Sequence, residues 1–140
     1  FQKVKVFLDA NVLISVLNKE YPLFTFSSRI LSLTDNSKYQ LFTSPLCLAI
    51  AFYFSTKKSG EILAKKKIDL LSKHMALTTV DEKVTKDTLK NKQIHDFEDG
   101  LEYYSALKHS CDVIITENKA DFYFNSIEVL GCEEFIVEYF

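Results

Sequence analysis

Cysteine is scarce in this 140-residue chain: Cys47, Cys111 and Cys132 form no CxxC pair and are odd in number. That excludes a disulfide-stapled secreted scaffold, and thiols in apolar or helical surroundings read as small core residues of a protein kept in a reducing compartment, the cytoplasm. No apolar run approaches the roughly 18 residues of a membrane span; the longest, Leu46 to Phe54, is too short to cross a bilayer. The N-terminus lacks a basic-then-apolar leader pattern, and its first residue is Phe1 rather than Met, as expected of a chain trimmed of a start residue or leader. A Gly-rich phosphate loop, a Ser-centred nucleophile elbow and a Cys–His pairing are all missing, which removes the chemistries that depend on them. His74, His95 and His109 have no metal-ligand spacing and read as surface or satisfied side chains. With no internal repeat or low-complexity linker, and 47% hydrophobic residues, the chain reads as one domain, residues 1–140, with a core of its own.

Charge is present but segregated. The formal net charge of -2 argues against a uniformly basic nucleic-acid coat. Lysines dominate from Ser55 to Lys92, including Lys57, Lys58 and the triplet Lys65, Lys66 and Lys67, whereas from Asp96 onward only Lys108 and Lys119 offset many acids. Such asymmetry suits a protein that binds a polyanion such as RNA on one patch and cations on another. The competing expectation is that the lysines only solvate helices.

Periodicity predicts strands separated by helices. Val4, Val6 and Leu8 alternate toward a strand end at Asp9, and Asn11 is positioned to cap a helix carrying Val12, Leu13, Val16 and Leu17. A second helix is expected from Ser27 to about Asp35, a strand over Tyr39–Thr43, and an apolar helix capped by Ser44, opened by Pro45 and continuing toward Phe54. Ser59 to Ser72 reads as a helix with a wet face, Met75–Leu77 as a short strand, and Asp81 as the cap of a helix through Leu89. Asp96 caps another helix, followed by strands over Asp112–Thr116 and Ile127–Leu130 and a closing helix from Glu133 to Phe140. The alternation predicts an α/β fold of three α/β/α layers around a mostly parallel sheet of four to five strands, in which ligands favour the carboxyl ends of strands.

Asp9 interrupts the otherwise almost apolar stretch from Val6 to Ile14. A buried carboxylate is costly unless a cation, a metal or several donors meet it. Asp96, Glu98, Asp99 and Glu102 open one amphipathic segment, and Glu117, Asn118 and Asp121 follow the apolar run Val113–Ile115. Convergence of these oxygen ligands in space predicts a divalent-metal site. Glycine inside a helix is unfavourable, so Gly100 beside Asp99 suggests a close backbone approach or room for a ligand. Each acid also has a plainer reading: Asp9 and Asp99 as capping residues, Asn118 and Asp121 as turn formers, and Glu117 as solvent-facing.

Three segments, Phe7-Leu-Asp-Ala-Asn-Val-Leu-Ile14, Asp96-Phe-Glu-Asp-Gly-Leu-Glu102 and Ile114-Ile-Thr-Glu-Asn-Lys-Ala-Asp-Phe122, together resemble the signatures of PIN-domain nucleases, in order and across nearly the whole chain. That family includes the toxins of bacterial toxin–antitoxin pairs, and its members are metal-dependent ribonucleases. The resemblance implies an RNA substrate, Mg²⁺ or Mn²⁺ as cofactor and an antitoxin protein as partner. Position by position it makes Asp9 the central metal ligand, Asp99 a ligand directly or through water, and Asn118 and Asp121 the polar and acidic groups that complete the cluster. Asp9, Asp99 and Asp121 are then the catalytic acids, while Asn11 and Thr116 hold carboxylates by hydrogen bonds.

One position departs from the pattern. The family carries a further acid, or Asn, about six residues past the capping Ser; here that place falls at Ile50 or an adjacent apolar residue, and no carboxylate follows until Glu61. The expected consequence is weaker metal binding, one ion instead of two, or no catalysis, unless Glu98 or Glu102 substitutes. Glu102 shares a helical face with Asp99, whereas Glu98 is rotated away. A PIN-like module that binds RNA or protein without catalysis is therefore the alternative function, and a phosphoacceptor domain is a weaker third, because Ala10 follows Asp9 where such domains carry an acidic pair. Val12 to Leu17 and Leu46 to Phe54 hold more large residues than one stripe requires, which suggests a homodimer surface. For Leu46 to Phe54 a deeply buried core helix is the preferred expectation.

Overall fold

Among the described residues, five segments form the strands β1 (Val4–Leu8), β2 (Tyr39–Thr43), β3 (Ala76–Leu77), β4 (Val113–Ile115) and β5 (Glu128–Leu130). The computed structural model describes residues 2–124 and 126–140; Phe1, where the chain begins, and Asn125 lie outside that set. All pairings are parallel and the order is β3-β2-β1-β4-β5, with β1 in the middle. Parallel neighbours need crossover connections, and these supply the helices: α1 (Ala10–Leu17), α2 (Leu23–Leu31), α3 (Pro45–Ser59), α4 (Glu61–Ser72), α5 (Glu82–Lys90) and α6 (Phe97–Lys108), with α7 (Cys132–Tyr139) closing the chain. Two 3₁₀ turns, Ser32–Asp35 and Lys119–Phe122, follow α2 and join β4 to β5.

The helices cover both faces of the sheet in the expected α/β/α layers. α1 packs on α2 and α3, α3 on α4, and α2 on α7, while α5 packs on α6. Val6, Phe7 and Leu8 of β1 and Val113, Ile114 and Ile115 of β4 are consequently buried on both sides, which is why these strands read as apolar runs. Gly100 answers the question its sequence position raised. A Cβ there would lie 2.4 Å from Thr88 Cγ2 and 2.9 Å from Ile94 Cγ2, so its bare backbone permits the close approach of α6 to α5 and leaves no room for a ligand at that point.

Several local expectations are corrected. Asn11 does not cap α1: Asp9 has the extended backbone of a cap and its Oδ1 accepts the Ala10 N–H, leaving Asn11 inside the first turn with its amide free for another task. α2 begins at Leu23 rather than Ser27, because Pro22 is tolerated at a helix start and Leu23, Phe26 and Ile30 form its inward stripe. α3 runs on to Ser59 and ends at Gly60, whose φ of +83° suits glycine and turns the chain into α4.

The two self-association candidates exchange roles. Val12, Leu13 and Leu17 of α1 are buried within the chain, whereas α3 buries only the narrow stripe Cys47, Ala51 and Ser55 and exposes Tyr53 and Phe54. α3 is therefore not the deeply buried core helix that its composition suggested. Small residues at four-residue spacing seat it close to its neighbours, and its large side chains turn outward.

The lysines divide as well. Lys58 and Lys67 donate to the carbonyls of Asn18 and Leu17 at the end of α1, where the helix dipole is negative, so those two stabilise the fold. Lys57 lies over the Tyr53 ring at 4.4 Å, while Lys65 and Lys66 are exposed on α4.

Candidate metal centre

Parallel pairing of β1 with β4 sets Leu8 opposite Ile115, so the next residue of each strand, Asp9 and Thr116, emerges at the same carboxyl edge. The Asp9 N–H donates to the Ile115 carbonyl at 3.0 Å, which holds the two strand ends in register. Asp9 Oδ2 then accepts from the Thr116 hydroxyl at 2.8 Å and from the Asn11 amide at 3.1 Å. Asn11 Nδ2 also reaches Thr116 Oγ1 at 2.9 Å, and its Oδ1 accepts the Glu117 N–H. Asn11 and Thr116 thus fix the orientation of a nearly buried carboxylate between two crossover connections.

A second crossover delivers the next member. Thr43 donates to the Leu8 carbonyl, Ser44 accepts the Cys47 N–H at 3.0 Å, and α3 starts beside Asp9. The side chain it contributes is Cys47, one turn before Ile50, which is only partly buried and packs against the core edge. Cys47 Sγ lies 3.1 Å from Glu102 Oε1 and 4.0 Å from Asp9 Oδ1.

The third element is α6. Asp96 caps it by accepting the Asp99 N–H, and Asp99 and Glu102 follow on one face. Glu102 is 1% exposed, and its Oε2 has no hydrogen-bond donor. Asp9, Cys47 and Glu102 each offer a ligand atom within 4.8 Å of the others. Among the described residues, no ion pair involves Asp9, Asp99, Glu102 or Asp121. The acids face one another without a protein cation between them.

Electrostatics register that arrangement. Burial first, then the Asp9 charge and a hydrogen bond shared with Asp9, raise the Glu102 carboxyl well above the carboxylate range. Asp99 is pushed up to about 7, by desolvation first and then by the charges of Asp96, Asp121, Asp9 and Glu98. Glu98, exposed, is raised by desolvation, Asp96 and Asp9. These couplings link Asp121 to Asp99, yet Asp121 and Asn118 sit exposed at the rim, with the Asn118 N–H donating to Thr116 Oγ1.

The site therefore has a floor of Asp9, Cys47 and Glu102, a wall at Asp99 and a rim at Asn118 and Asp121. Such oxygen donors, one of them buried and orphaned, fit a divalent cation. Glu117, expected to face solvent, is exposed but accepts the Cys132 N–H at 2.8 Å, tying the rim to α7. Cys47 is the member that the sequence reading left in the core. Its signal is position, three residues after a capping Ser at the same sheet edge as Asp9.

The raised Asp99 carboxyl has a pH consequence for the metal-free chain. Between the ordinary value of 3.8 and about 7, the unfolded chain has released this proton while the folded chain retains it. Folding then binds a proton, and stability falls as pH rises through that window. Compared with Asp99→Asn, the native chain in chelator is expected to lose melting temperature between about pH 4 and pH 7. Parallel melting curves for the two across that range would contradict the burial-driven shift.

Comparison with known proteins bears on these observations. A family model described as PIN domain matches residues 5–120. The chain is 28% identical over 134 residues to Ribonuclease VapC1 of Aquifex aeolicus, covering 94% of this chain and 92% of that protein. Among solved structures, VapBC-1 from nontypeable Haemophilus influenzae is similar with a TM-score of 0.67 at 18% identity, over 92% of this chain and 98% of that one. VapBC2 from Rickettsia felis, bound to a DNA fragment from its promoter, gives 0.66 at 18% identity over 90% and 96%. Mycobacterium tuberculosis VapC20, described as a Sarcin-Ricin loop cleaving toxin, gives 0.62 at 13% identity over 78% and 86%. At those identities the structures speak for the fold.

Proposed function

The chain belongs to the PIN-domain family, and on that premise we propose that it is a single-domain, metal-dependent endoribonuclease that hydrolyses RNA phosphodiester bonds. The carrying observation is the meeting of Asp9, Glu102 and Asp99 at one sheet edge with no protein cation among them. The similarity to Ribonuclease VapC1 supports RNA as substrate. Mg²⁺ or Mn²⁺ would supply Lewis acidity and a water of lowered pKa. Asp9 would be the central ligand, held by Asn11 and Thr116, with Asp99, Asn118 and Asp121 completing the oxygen set. Glu102 lies where it can take the place of the acid missing from α3, which makes it the compensating carboxylate.

The likeness to the VapBC structures supports an antitoxin-type protein as partner. The aromatic face of α3 at Tyr53 and Phe54 supports a homodimer contact. Three free, buried thiols support a cytoplasmic setting, and among the described residues no helix is long and apolar enough to cross a membrane.

Cleavage of a generic single-stranded RNA is expected in Mn²⁺ or Mg²⁺ and is expected to stop in chelator. Cleavage that continues in chelator would overturn the metal dependence. The absence of a carboxylate on the facing turn of α3 favours a second reading, a catalytically weak module. Metal-dependent stabilisation without RNA cleavage would select it.

A further inference from the structure

The floor of the site is not an all-oxygen pocket. We propose that Asp9, Cys47 and Glu102 form a mixed sulfur–oxygen site for a thiophilic divalent ion of the Zn²⁺ and Co²⁺ class, set beneath the oxygen ligands of the rim. This rests on the reading of the acidic cleft as a cation site and specifies which ion its deepest part selects.

Geometry carries the argument. A tetrahedral Zn²⁺ with a bond of about 2.3 Å to sulfur and about 2.1 Å to oxygen sets a sulfur-to-oxygen edge of about 3.6 Å. The observed edges from Cys47 Sγ, 3.1 Å to Glu102 Oε1 and 4.0 Å to Asp9 Oδ1, straddle that value. Small side-chain adjustments equalise them. Both carboxylates also have coordinating capacity to spare. Among the described residues, Glu102 Oε2 is buried with no donor, and Asp9 Oδ1 accepts the Ala10 N–H and a long contact from the Cys47 thiol. Three protein ligands would leave a fourth position for water, as in hydrolytic rather than purely structural zinc sites.

Ligand chemistry then determines the ion. Mg²⁺ demands near-octahedral oxygen coordination and gains little from sulfur, whereas thiolate favours zinc and other borderline-soft ions. As the metal bonds form, the Cys47 S–H and the Glu102 carboxyl O–H bonds break and both protons leave to buffer, with no change of oxidation state. Cys47 stands on the third helical residue of a fifteen-residue helix, and in the metal-free chain burial, then the charges of Glu102 and Asp9, raise its thiol well above the ordinary value, so only an arriving cation displaces the proton. In the metal-free chain the Cys47 thiol donates to Glu102 Oε1 and makes a longer contact with Asp9 Oδ1, so the three side chains already face one another at the positions an ion would bridge.

The reduced native chain is titrated with Co²⁺ and followed by absorption. The expected result is one ion per chain, with a near-ultraviolet thiolate-to-Co²⁺ band that Zn²⁺ bleaches and Mg²⁺ does not. Cys47→Ser is expected to abolish the band although Cys111 and Cys132 remain, and Glu102→Gln to keep it while weakening Co²⁺ by about tenfold or more. Thermal melts in chelator establish that both variants fold, and Cys47→Ala serves if the serine variant does not. A band that survives loss of Cys47, or Co²⁺ binding by the native chain without it, would overturn the proposal. Mn²⁺-dependent RNA cleavage with no sulfur band would remove the mixed site and leave the nuclease standing. A sulfur band with no cleavage under any ion would uphold the site and remove the nuclease.

Discussion

Asp9→Asn is expected to eliminate RNA cleavage and nearly all metal-dependent stabilisation while leaving the metal-free fold in place. Asp9 ties together the floor of the proposed centre: it accepts from Thr116 and Asn11, faces Cys47 and raises Glu102. An asparagine retains one acceptor oxygen and the helix-capping role, so the change to the metal-free chain is small, within about 1 kcal/mol. The metal signal should change far more. At a Mn²⁺ concentration of about 100 Kd the native chain gains about 2.7 kcal/mol, and a hundredfold weaker site reduces that gain to about 0.4 kcal/mol. A hundredfold loss is a modest expectation for a direct ligand, since outer partners alone account for about 10–100-fold. Thermal melts with and without Mn²⁺, paired with an RNA cleavage assay, provide the check. Undiminished stabilisation in the variant would show that the ion is held elsewhere.

Phe122→Ala is expected to have the larger effect on stability, about 3–5 kcal/mol. Phe122 is fully buried at the end of the turn that carries Asp121, and it packs at 6.1 Å from the Phe124 ring, which in turn meets Tyr103 edge-on at 5.2 Å. The Tyr103 hydroxyl bonds Ser126 at 3.0 Å and fastens the far side of the same cluster. Removing the phenyl ring leaves a cavity beneath the rim, so the loss of folding energy is accompanied by displacement of Asp121 from Asp99. Urea unfolding measures the first effect, and the melting temperature is expected to fall by roughly 10 °C. The second is a further loss of Mn²⁺ affinity at temperatures where the variant is still folded. A stability change below about 1 kcal/mol would mean that the turn collapses to fill the space.

Where the chain carries its own punctuation, the sequence was a good guide. Ser44-Pro45, Asp81 and Asp96 each mark a helix start that the structure keeps, and the strand ending before Asp9 and the run Val113–Ile115 lie where alternation and β-branching put them. These are local effects, decided by residues within one turn of each other. The extent of α3 was harder to read, because its exposed aromatics and buried small residues invert the usual link between size and burial. α2 starts just after Pro22, a residue that reads as readily as a breaker.

The site shows the same division. Asp9 follows from its strand-end position, Asn11 and Thr116 from the family resemblance, and the structure joins all three by hydrogen bonds. Cys47 could not be singled out from its neighbours, since a thiol among Leu46, Leu48 and Ala49 has the composition of a core. Its proximity to Glu102 spans 55 residues and depends on two crossovers arriving at the same edge. Nothing in either segment alone encodes that meeting.

The separation between Asp9 and Thr116, 107 residues, bears on the life of the chain before it is finished. Asp9 leaves the ribosome well before the helix that supplies Glu102 and the strand end that orients it. A growing chain therefore carries these acids dispersed, and the proposed centre is assembled all at once when β4 slots in beside β1.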